Sequence, residues 1–110
     1  MAYDEALADR VRELISARAD ITEKRMFGSL CFLVGGNLAL CVRDEELLVR
    51  LDPEDSGTAI AEEGVRQAVI GSREMKGWIF VEAERTSDDE GLAEWVEAGA
   101  DRAASLPPKE

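Results

Sequence analysis

Two short stretches of the chain combine basic side chains with aromatic or thioether side chains. The first occupies residues 24–28 and the second residues 73–78. Guanidinium and ammonium groups beside an aromatic ring can bind a phosphate, a carboxylate or an acidic surface if folding brings the two stretches together. The alternative is structural, with the methionines and rings in the core and the basic groups as their solvated neighbours. The candidate binding residues are Lys24, Arg25, Met26, Phe27, Gly28, Arg73, Met75, Lys76 and Trp78.

The residues that most enzymes need are missing from this chain. There is no histidine, which excludes Ser-His and Cys-His nucleophiles and imidazole-bound zinc. Two cysteines are too few for a four-thiolate metal site. The adjacent Gly35 and Gly36 lack the spacing of a phosphate-binding loop. We therefore interpret the protein as a non-enzyme and expect no catalytic residue, metal or cofactor.

The two cysteines, Cys31 and Cys41, flank the paired glycines. A two-residue turn at the glycines pairs Cys31 with Leu40 and Cys41 with Leu30, so that the thiols point to opposite faces of a sheet and cannot bond. A three-residue turn would place the two cysteines directly opposite each other. The sequence favours buried thiols that are not bonded to each other.

Carboxylates are dense between residues 88 and 101. Their spacing lacks the loop pattern and the glycine of an EF-hand. Acidic residues in the first turn of a helix are expected because they interact favourably with the helix dipole. We therefore interpret this segment as a solvated helix face rather than a metal site or an acid–base pair.

Length and charge narrow the class of protein further. A chain of 110 residues predicts a single domain, residues 1–110. The net charge of −11 repels phosphates, so no direct nucleic-acid binding is expected. The longest apolar runs have five residues, whereas a membrane helix needs roughly 20, and the N-terminus does not read as a signal peptide. These features predict a cytoplasmic protein without membrane contact.

Three helices are predicted from apolar spacing and from their first residues. The first has about four turns and Asp4 as its N-cap. The second is short, begins after Asp52 and stops at Gly64. The third follows a capping box formed by Ser87 and Glu90. Together they bracket and interrupt the strands.

The strands are predicted from alternating or continuous apolar runs between turn signals. Strand-like periodicity starts at residue 21, and the clearest runs are 29–34, 37–43, 46–51, 65–70 and 77–83. Tight turns between successive runs favour antiparallel pairing. The expected fold is α+β, a two-layer sandwich of a mostly antiparallel sheet with helices before, between and after the strands.

In order and spacing, several of these residues closely resemble the N-terminal domain of the TfoX/Sxy family. The resemblance is carried by residues 24–28, Phe32, Gly36, Asn37, 46–50 and 75–78. It covers essentially the whole chain and looks like the stand-alone bacterial members. It implies a fold shared with secretion-chaperone-like domains, which often pair into dimers. Long members regulate natural competence, so the resemblance implies a competence regulator-like domain.

Two residues depart from the family pattern. Ser29 stands where a glycine is common, and Glu74 stands where a proline is common. Both departures lie in loops that a shared binding site would use.

The resemblance and the missing catalytic residues favour a non-enzymatic regulatory or protein-interaction module with an unknown protein partner. The alternative is a domain that binds a small molecule or an anion through residues 24–28 and 73–78. Both faces of the hairpin at residues 30–42 are apolar, and three helices do not readily cover both. We therefore also predict a homodimer.

Overall fold

The computed structural model describes residues 3–18, 20–26 and 28–107, and within them it shows three α-helices and six strands. The helices are α1 (Glu5–Ile15), α2 (Pro53–Ala59) and α3 (Asp89–Ala104). The strands are β1 (Ile21–Met26), β2 (Ser29–Val34), β3 (Asn37–Arg43), β4 (Glu46–Arg50), β5 (Val65–Ile70) and β6 (Arg73–Val81). Every pair of neighbouring strands is antiparallel. The predicted α+β fold is confirmed.

Aspartates begin the first two helices, as predicted. The Asp4 carboxylate accepts hydrogen bonds from the backbone N–H groups of Ala6 (2.9 Å) and Leu7 (3.2 Å). The Asp52 carboxylate accepts one from the N–H of Glu54 at 3.0 Å. Each bond satisfies a backbone donor that has no partner inside its helix.

The lengths of these two helices differ from the prediction. α1 has 11 residues, about three turns rather than four. Tyr3 does not extend it, because Tyr3 forms an isolated bridge with Asp44 instead. α2 ends at Ala59 rather than at Gly64. Its buried residues are Ser56 and Ala59, so tertiary packing does not stabilise further turns of this helix.

The capping box predicted before α3 is absent, which corrects that prediction. The N-cap residue is Asp88, and its side chain makes no capping hydrogen bond. The hydroxyl of Ser87 donates to the carbonyl of Glu84 at 3.1 Å instead. The 3-10 turn at Ala83–Arg85 thus uses the serine that the helix was expected to use.

The strands lie in the order β1-β2-β3-β4-β6-β5. The first four follow one another through tight turns, as predicted. The chain then leaves β4 through α2 and returns as the β5–β6 hairpin, with β6 inserted beside β4. β6 begins at residue 73 rather than 77. β1 and β5 are the two edges of the sheet.

All three helices contribute to one buried cluster, together with alternate residues of the strands. From two central strands the cluster takes Leu40, Val42, Leu47 and Val49, each with 0% exposure. Burying side chains of this size stabilises the fold by roughly 1.5–3 kcal/mol each. The helices therefore share one face of the sheet, which we call the core face.

A β-bulge at Ala39 shifts the register of the β2–β3 hairpin. Leu33 pairs with Leu38, as a two-residue glycine turn predicts. The next pair is Phe32 with Leu40, so Ala39 is an extra residue on β3. Every pair beyond the bulge is displaced by one residue from the predicted register.

Candidate functional site

The first basic stretch lies on an edge strand and its turn. Lys24 and Arg25 are exposed on β1, and Met26 is half-buried at its end. Gly28 sits in the following turn with a φ of +77°. Phe27 lies outside the described residues. Charged side chains on an edge strand discourage pairing with other sheets, which gives Lys24 and Arg25 a structural explanation.

The second basic stretch forms a wide irregularity in β6. Residues 75–78 lie between two ladder pairs and have only Ala68 opposite them on β5. The Gln67 side-chain amide bridges this gap, donating to the carbonyls of Met75 (2.8 Å) and Trp78 (3.3 Å). The candidate residues Arg73, Met75, Lys76 and Trp78 all lie on β6, where the two basic side chains are exposed and the other two are half-buried.

The two stretches are not brought together. β2, β3 and β4 lie between β1 and β6, so four strand spacings separate the strands that carry the stretches. At about 4.8 Å per spacing, that is about 19 Å. The described residues of the two stretches therefore do not form a single ligand site. The alternative, that the methionines and rings of these stretches lie in the core, is not met by the described residues either. Met26, Met75 and Trp78 are only half-buried and lie outside the core cluster.

The face opposite the core face gathers cations that the sequence did not single out. We call it the outer face and define it by strand residues that alternate with those of the core cluster. Its members include Lys24, Cys31, Leu33, Cys41, Arg43, Glu46, Leu48, Arg50, Arg66, Trp78 and Phe80. Its middle row runs across the sheet as Lys24, Cys31, Cys41, Leu48, Phe80 and Arg66.

Arginines cover the aromatic rings of the outer face. The guanidinium carbons of Arg66 and Arg43 lie 4.9 and 5.8 Å from the centre of the Phe80 ring. That of Arg50 lies 5.3 Å from the Trp78 ring. These cation–π contacts contribute roughly 0.5–1 kcal/mol each at partly exposed positions. They also shield Phe80, which is only 7% exposed although no helix of the described residues packs on it.

The three arginines differ in their charge partners. Arg66 donates two hydrogen bonds of 2.7 Å to the Glu46 carboxylate, and this bond raises the pKa of Arg66. Arg50 donates to the carbonyl of Leu38 at 3.3 Å, and burial, with repulsion from Arg102, lowers the pKa of Arg50. Neither Arg43 nor Arg50 pairs with a carboxylate among the described residues, whereas other arginines do. Those are Arg10, Arg12, Arg18, Arg66, Arg85 and Arg102.

The two cysteines lie directly opposite each other in the middle of the outer face. The predicted register is wrong here, because the Ala39 bulge pairs Cys31 with Cys41 and puts both thiols on one side of the sheet. Both are free and buried, as predicted, at 2% and 3% exposure. The Cys41 thiol donates to the Cys31 sulfur, 3.0 Å away. This bond lowers the pKa of Cys31 and, with burial, raises the pKa of Cys41.

Acidic residues are concentrated next to the outer face, and Asp44 and Glu46 line both an acidic cavity and the cavity at Phe80. The acidic cavity measures about 790 Å³ and is lined by Tyr3, Asp4, Asp44, Glu45, Glu46, Glu82, Ala83 and Glu84. Its carboxylates would repel an anion. In the segment 88–101, Asp89 and Asp101 pair with Arg10 and Arg18 and so help to hold α3 against α1. Within the described part of the chain, no three His, Cys, Asp or Glu side chains are placed to hold a metal ion.

Comparison with protein families gives one finding. The model of the TfoX N-terminal domain matches residues 13–103. The chain belongs to the TfoX N-terminal domain family. Searches of curated proteins and of solved structures gave no match. None of the described helices of this TfoX domain has the length and apolar character of a membrane span.

Several residues that carry the TfoX resemblance have structural roles. Gly77 has a φ of +85°, and its carbonyl accepts a hydrogen bond from the N–H of Leu51 at 2.6 Å. A Cβ at Gly77 would lie 3.0 Å from the Leu51 carbonyl oxygen. Asn37 is 4% exposed, and its amide donates to the carbonyl of Pro107 at 2.9 Å. Asn37 thus ties the end of the described chain to the β2–β3 hairpin.

Sequence reasoning missed Arg43, Arg50 and Gln67 as site residues of this TfoX domain. Arg43 ends one predicted strand and Arg50 lies one residue before the end of another, positions at which a basic residue is common. Their position relative to Trp78 and Phe80 depends on β6 lying beside β4. Gln67 carries no local signal, because its role depends on the irregularity opposite it.

Proposed function

We propose that this TfoX domain is a non-enzymatic protein-interaction module whose outer face binds an acidic segment of a partner protein. The observation that carries the proposal is the group of arginines stacked on Phe80 and Trp78 in a chain with a net charge of −11. Family membership supports a regulator-like domain. The outer face adds a surface on which arginines contact aromatic rings. Both thiols are buried, which does not suit a nucleophile that must reach a substrate.

The charge of the outer face argues for an acidic partner. Arg43 is exposed and Arg50 half-buried, and carboxylates from outside the described residues could pair with both guanidiniums. Guanidinium groups bind carboxylates through paired, charge-assisted hydrogen bonds. Contact with the rings restricts the arginine side chains in advance, which lowers the entropy cost of binding.

The shape of the face argues for a protein segment rather than a small anion. The cavity lined by Arg43, Asp44, Glu46, Arg66, Val69 and Phe80 measures about 260 Å³, below the roughly 300–1,000 Å³ of typical ligand sites. Its two carboxylates disfavour a free anion there. Val69 is 45% exposed, and Leu48 is half-buried. Arginine and aromatic groups interleaved with apolar side chains are typical of protein interfaces.

A second copy of this chain is a poorer occupant of the outer face. In a symmetric dimer the same surface meets itself, so the interface would contain the arginines of both copies, and Arg43 and Arg50 have no carboxylate partner among the described residues. The homodimer predicted from the hairpin is therefore best tested in the same experiment. Dimerisation that Arg43→Gln abolishes would identify the second copy as the occupant and overturn the proposal.

The test is the binding of a fluorescent, glutamate-rich peptide with interspersed leucines, measured by anisotropy at low ionic strength. The double variant Arg43→Gln, Arg50→Gln should bind about tenfold more weakly, a loss of about 1.4 kcal/mol. The matched control is Arg10→Gln, Arg18→Gln, which removes the same charge from the helical side and should bind like the native protein.

Three results would contradict the proposal. These are no binding at low salt, equal losses in both double variants, and equal binding of a peptide with glutamine in place of glutamate. A DNA duplex in the same assay should not bind, since the net charge repels phosphates. Once the peptide result is positive, capture with the native protein and the Arg43→Gln, Arg50→Gln variant can identify the partner.

A further inference from the structure

Cys31 and Cys41 are placed for covalent bonding to each other. They are a directly opposed pair on neighbouring antiparallel strands, and their sulfurs are 3.0 Å apart. Opposed residues in such a ladder have Cα atoms about 4.5–5.5 Å apart. That spacing lies within the range of about 4.4–6.8 Å found in disulfides. Bond formation therefore needs no rearrangement of either strand.

We infer that Cys31 and Cys41 are a redox modification site, which a peroxide oxidises to a cross-strand disulfide and a dithiol reductant restores. The inference does not rest on the proposed function, although both thiols lie on the outer face that is proposed to bind the partner. It exists because the Ala39 bulge brings the second thiol to the face on which the first one lies. Without the bulge the two sulfurs would be on opposite sides of the sheet.

The chemistry divides the two cysteines into an attacking thiol and a resolving thiol. Cys31 accepts the hydrogen bond from Cys41, and this stabilises a thiolate on Cys31. The Cys31 thiolate attacks the peroxide, an S–O bond forms, the O–O bond breaks, and the leaving hydroxide takes the proton of Cys41 to become water. The Cys41 sulfur then displaces a second hydroxide from the Cys31 sulfenic acid, and that hydroxide leaves as water with the proton that Cys31 lost earlier. Two thiols and hydrogen peroxide thus become one disulfide and two waters.

The surroundings suit a small oxidant. Both thiols are nearly inaccessible to a protein-sized reagent, at 2% and 3% exposure. They lie on the outer face, which no helix of the described residues covers. Hydrogen peroxide is little larger than water, so it needs only a brief parting of the side chains above the sulfurs.

The test uses the full chain, reduced and then exposed to hydrogen peroxide at neutral pH. The protein is unfolded, alkylated and digested with trypsin, which releases residues 26–43 as one peptide with both cysteines. We expect both alkylatable thiols to disappear, the peptide to lose the mass of two hydrogens, and dithiothreitol to reverse both changes. Two thiols that stay alkylatable, a disulfide between chains, or oxygen on either cysteine sulfur that dithiothreitol does not remove would overturn the inference. Fragmentation of the peptide separates such oxygen from a sulfoxide at Met26.

Single variants test the assigned order. Cys41→Ser should accumulate a sulfenic acid at Cys31 that dimedone traps, whereas Cys31→Ser should leave Cys41 as an unmodified thiol under the same exposure. Equal trapping in both variants would overturn the assignment of Cys31 as the attacking group. Circular dichroism checks that each variant is folded. None of these readouts involves the acidic peptide, so this inference and the proposed function can fail separately.

Discussion

The two faces of the sheet exclude water by different means. On the core face, leucines and valines such as Leu47 and Val49 are fully buried beneath the helices. On the outer face, Phe80 reaches 7% exposure beneath the guanidiniums of Arg43 and Arg66. The first arrangement depends on dispersion and on loss of water contact, and the second places charged groups over aromatic rings.

This difference indicates that the core face provides most of the stability, whereas the outer face is available for binding. Burial under helices gives several kcal/mol per large side chain, so changes on the core face should be costly. Guanidiniums over a ring contribute less and keep part of their hydration, so the outer face can present them to a partner with little effect on the stability of the fold. Variants at matched positions on the two faces can test this division, and four are ordered below by expected effect.

The largest effect is expected from leucine truncation on adjacent residues of β4. Leu47→Ala on the core face should lower the free energy of unfolding by about 2–5 kcal/mol, because it leaves a cavity at a position with 0% exposure. Leu48→Ala on the outer face should cost clearly less, because Leu48 is already half-buried. Urea unfolding of both variants measures the difference. Equal losses would show that the outer face is packed like a core.

The second effect concerns two helical glycines. A Cβ at Gly99 would lie 2.8 Å from the Ala39 carbonyl oxygen and 3.2 Å from Val49 Cγ1. Gly99→Ala should therefore cost about 1–3 kcal/mol through overpacking between α3 and the core face. Gly57→Ala is the control, since no atom lies within 4 Å of its Cβ position, and it should stabilise the protein by up to about 1 kcal/mol. Thermal unfolding should shift in opposite directions, and a stable Gly99→Ala protein would contradict the close approach of helix and sheet.

The third effect is at the irregularity that holds Trp78 on the outer face. Gln67→Ala removes the amide that donates to the Met75 and Trp78 carbonyls, and should cost about 1–2 kcal/mol. Gln67→Glu keeps the size but cannot donate, so it should not rescue stability. Hydrogen exchange of the β5–β6 hairpin should accelerate locally in both variants. Unchanged exchange would mean that the amide is not what closes the gap.

The smallest effect is expected from the stacked arginines themselves. Arg43→Gln should lower stability by only about 0.5–1 kcal/mol, because it removes one partly exposed cation–π contact with Phe80. Arg43→Lys retains the charge and should recover part of the loss. Chemical unfolding at low and high salt measures both. A loss as large as that of Leu47→Ala would overturn the division between the two faces.

Local signals predicted much of the fold. The aspartate caps of α1 and α2, the glycine hairpin and five of the strand positions were all readable, because each depends on residues close in sequence. The capping box at Ser87 was wrong because a neighbouring 3-10 turn competed for the same hydroxyl. The candidate site was predicted less well. Arg73, Met75 and Lys76 were predicted to precede the last strand but lie on β6, and the sequence did not indicate that three strands separate β6 from β1.

Residue patterns were enough to predict the order of helices and strands, the turns between neighbouring strands, the burial of both thiols and the TfoX N-terminal domain family. The position of β6 beside β4, and the Ala39 bulge that sets Cys31 opposite Cys41, emerged only from the folded chain. Turn and cap preferences act over a few residues, whereas strand order and bulge position depend on how the whole sheet packs against its helices. The arginines come to lie over Phe80 and Trp78 only because of this strand order.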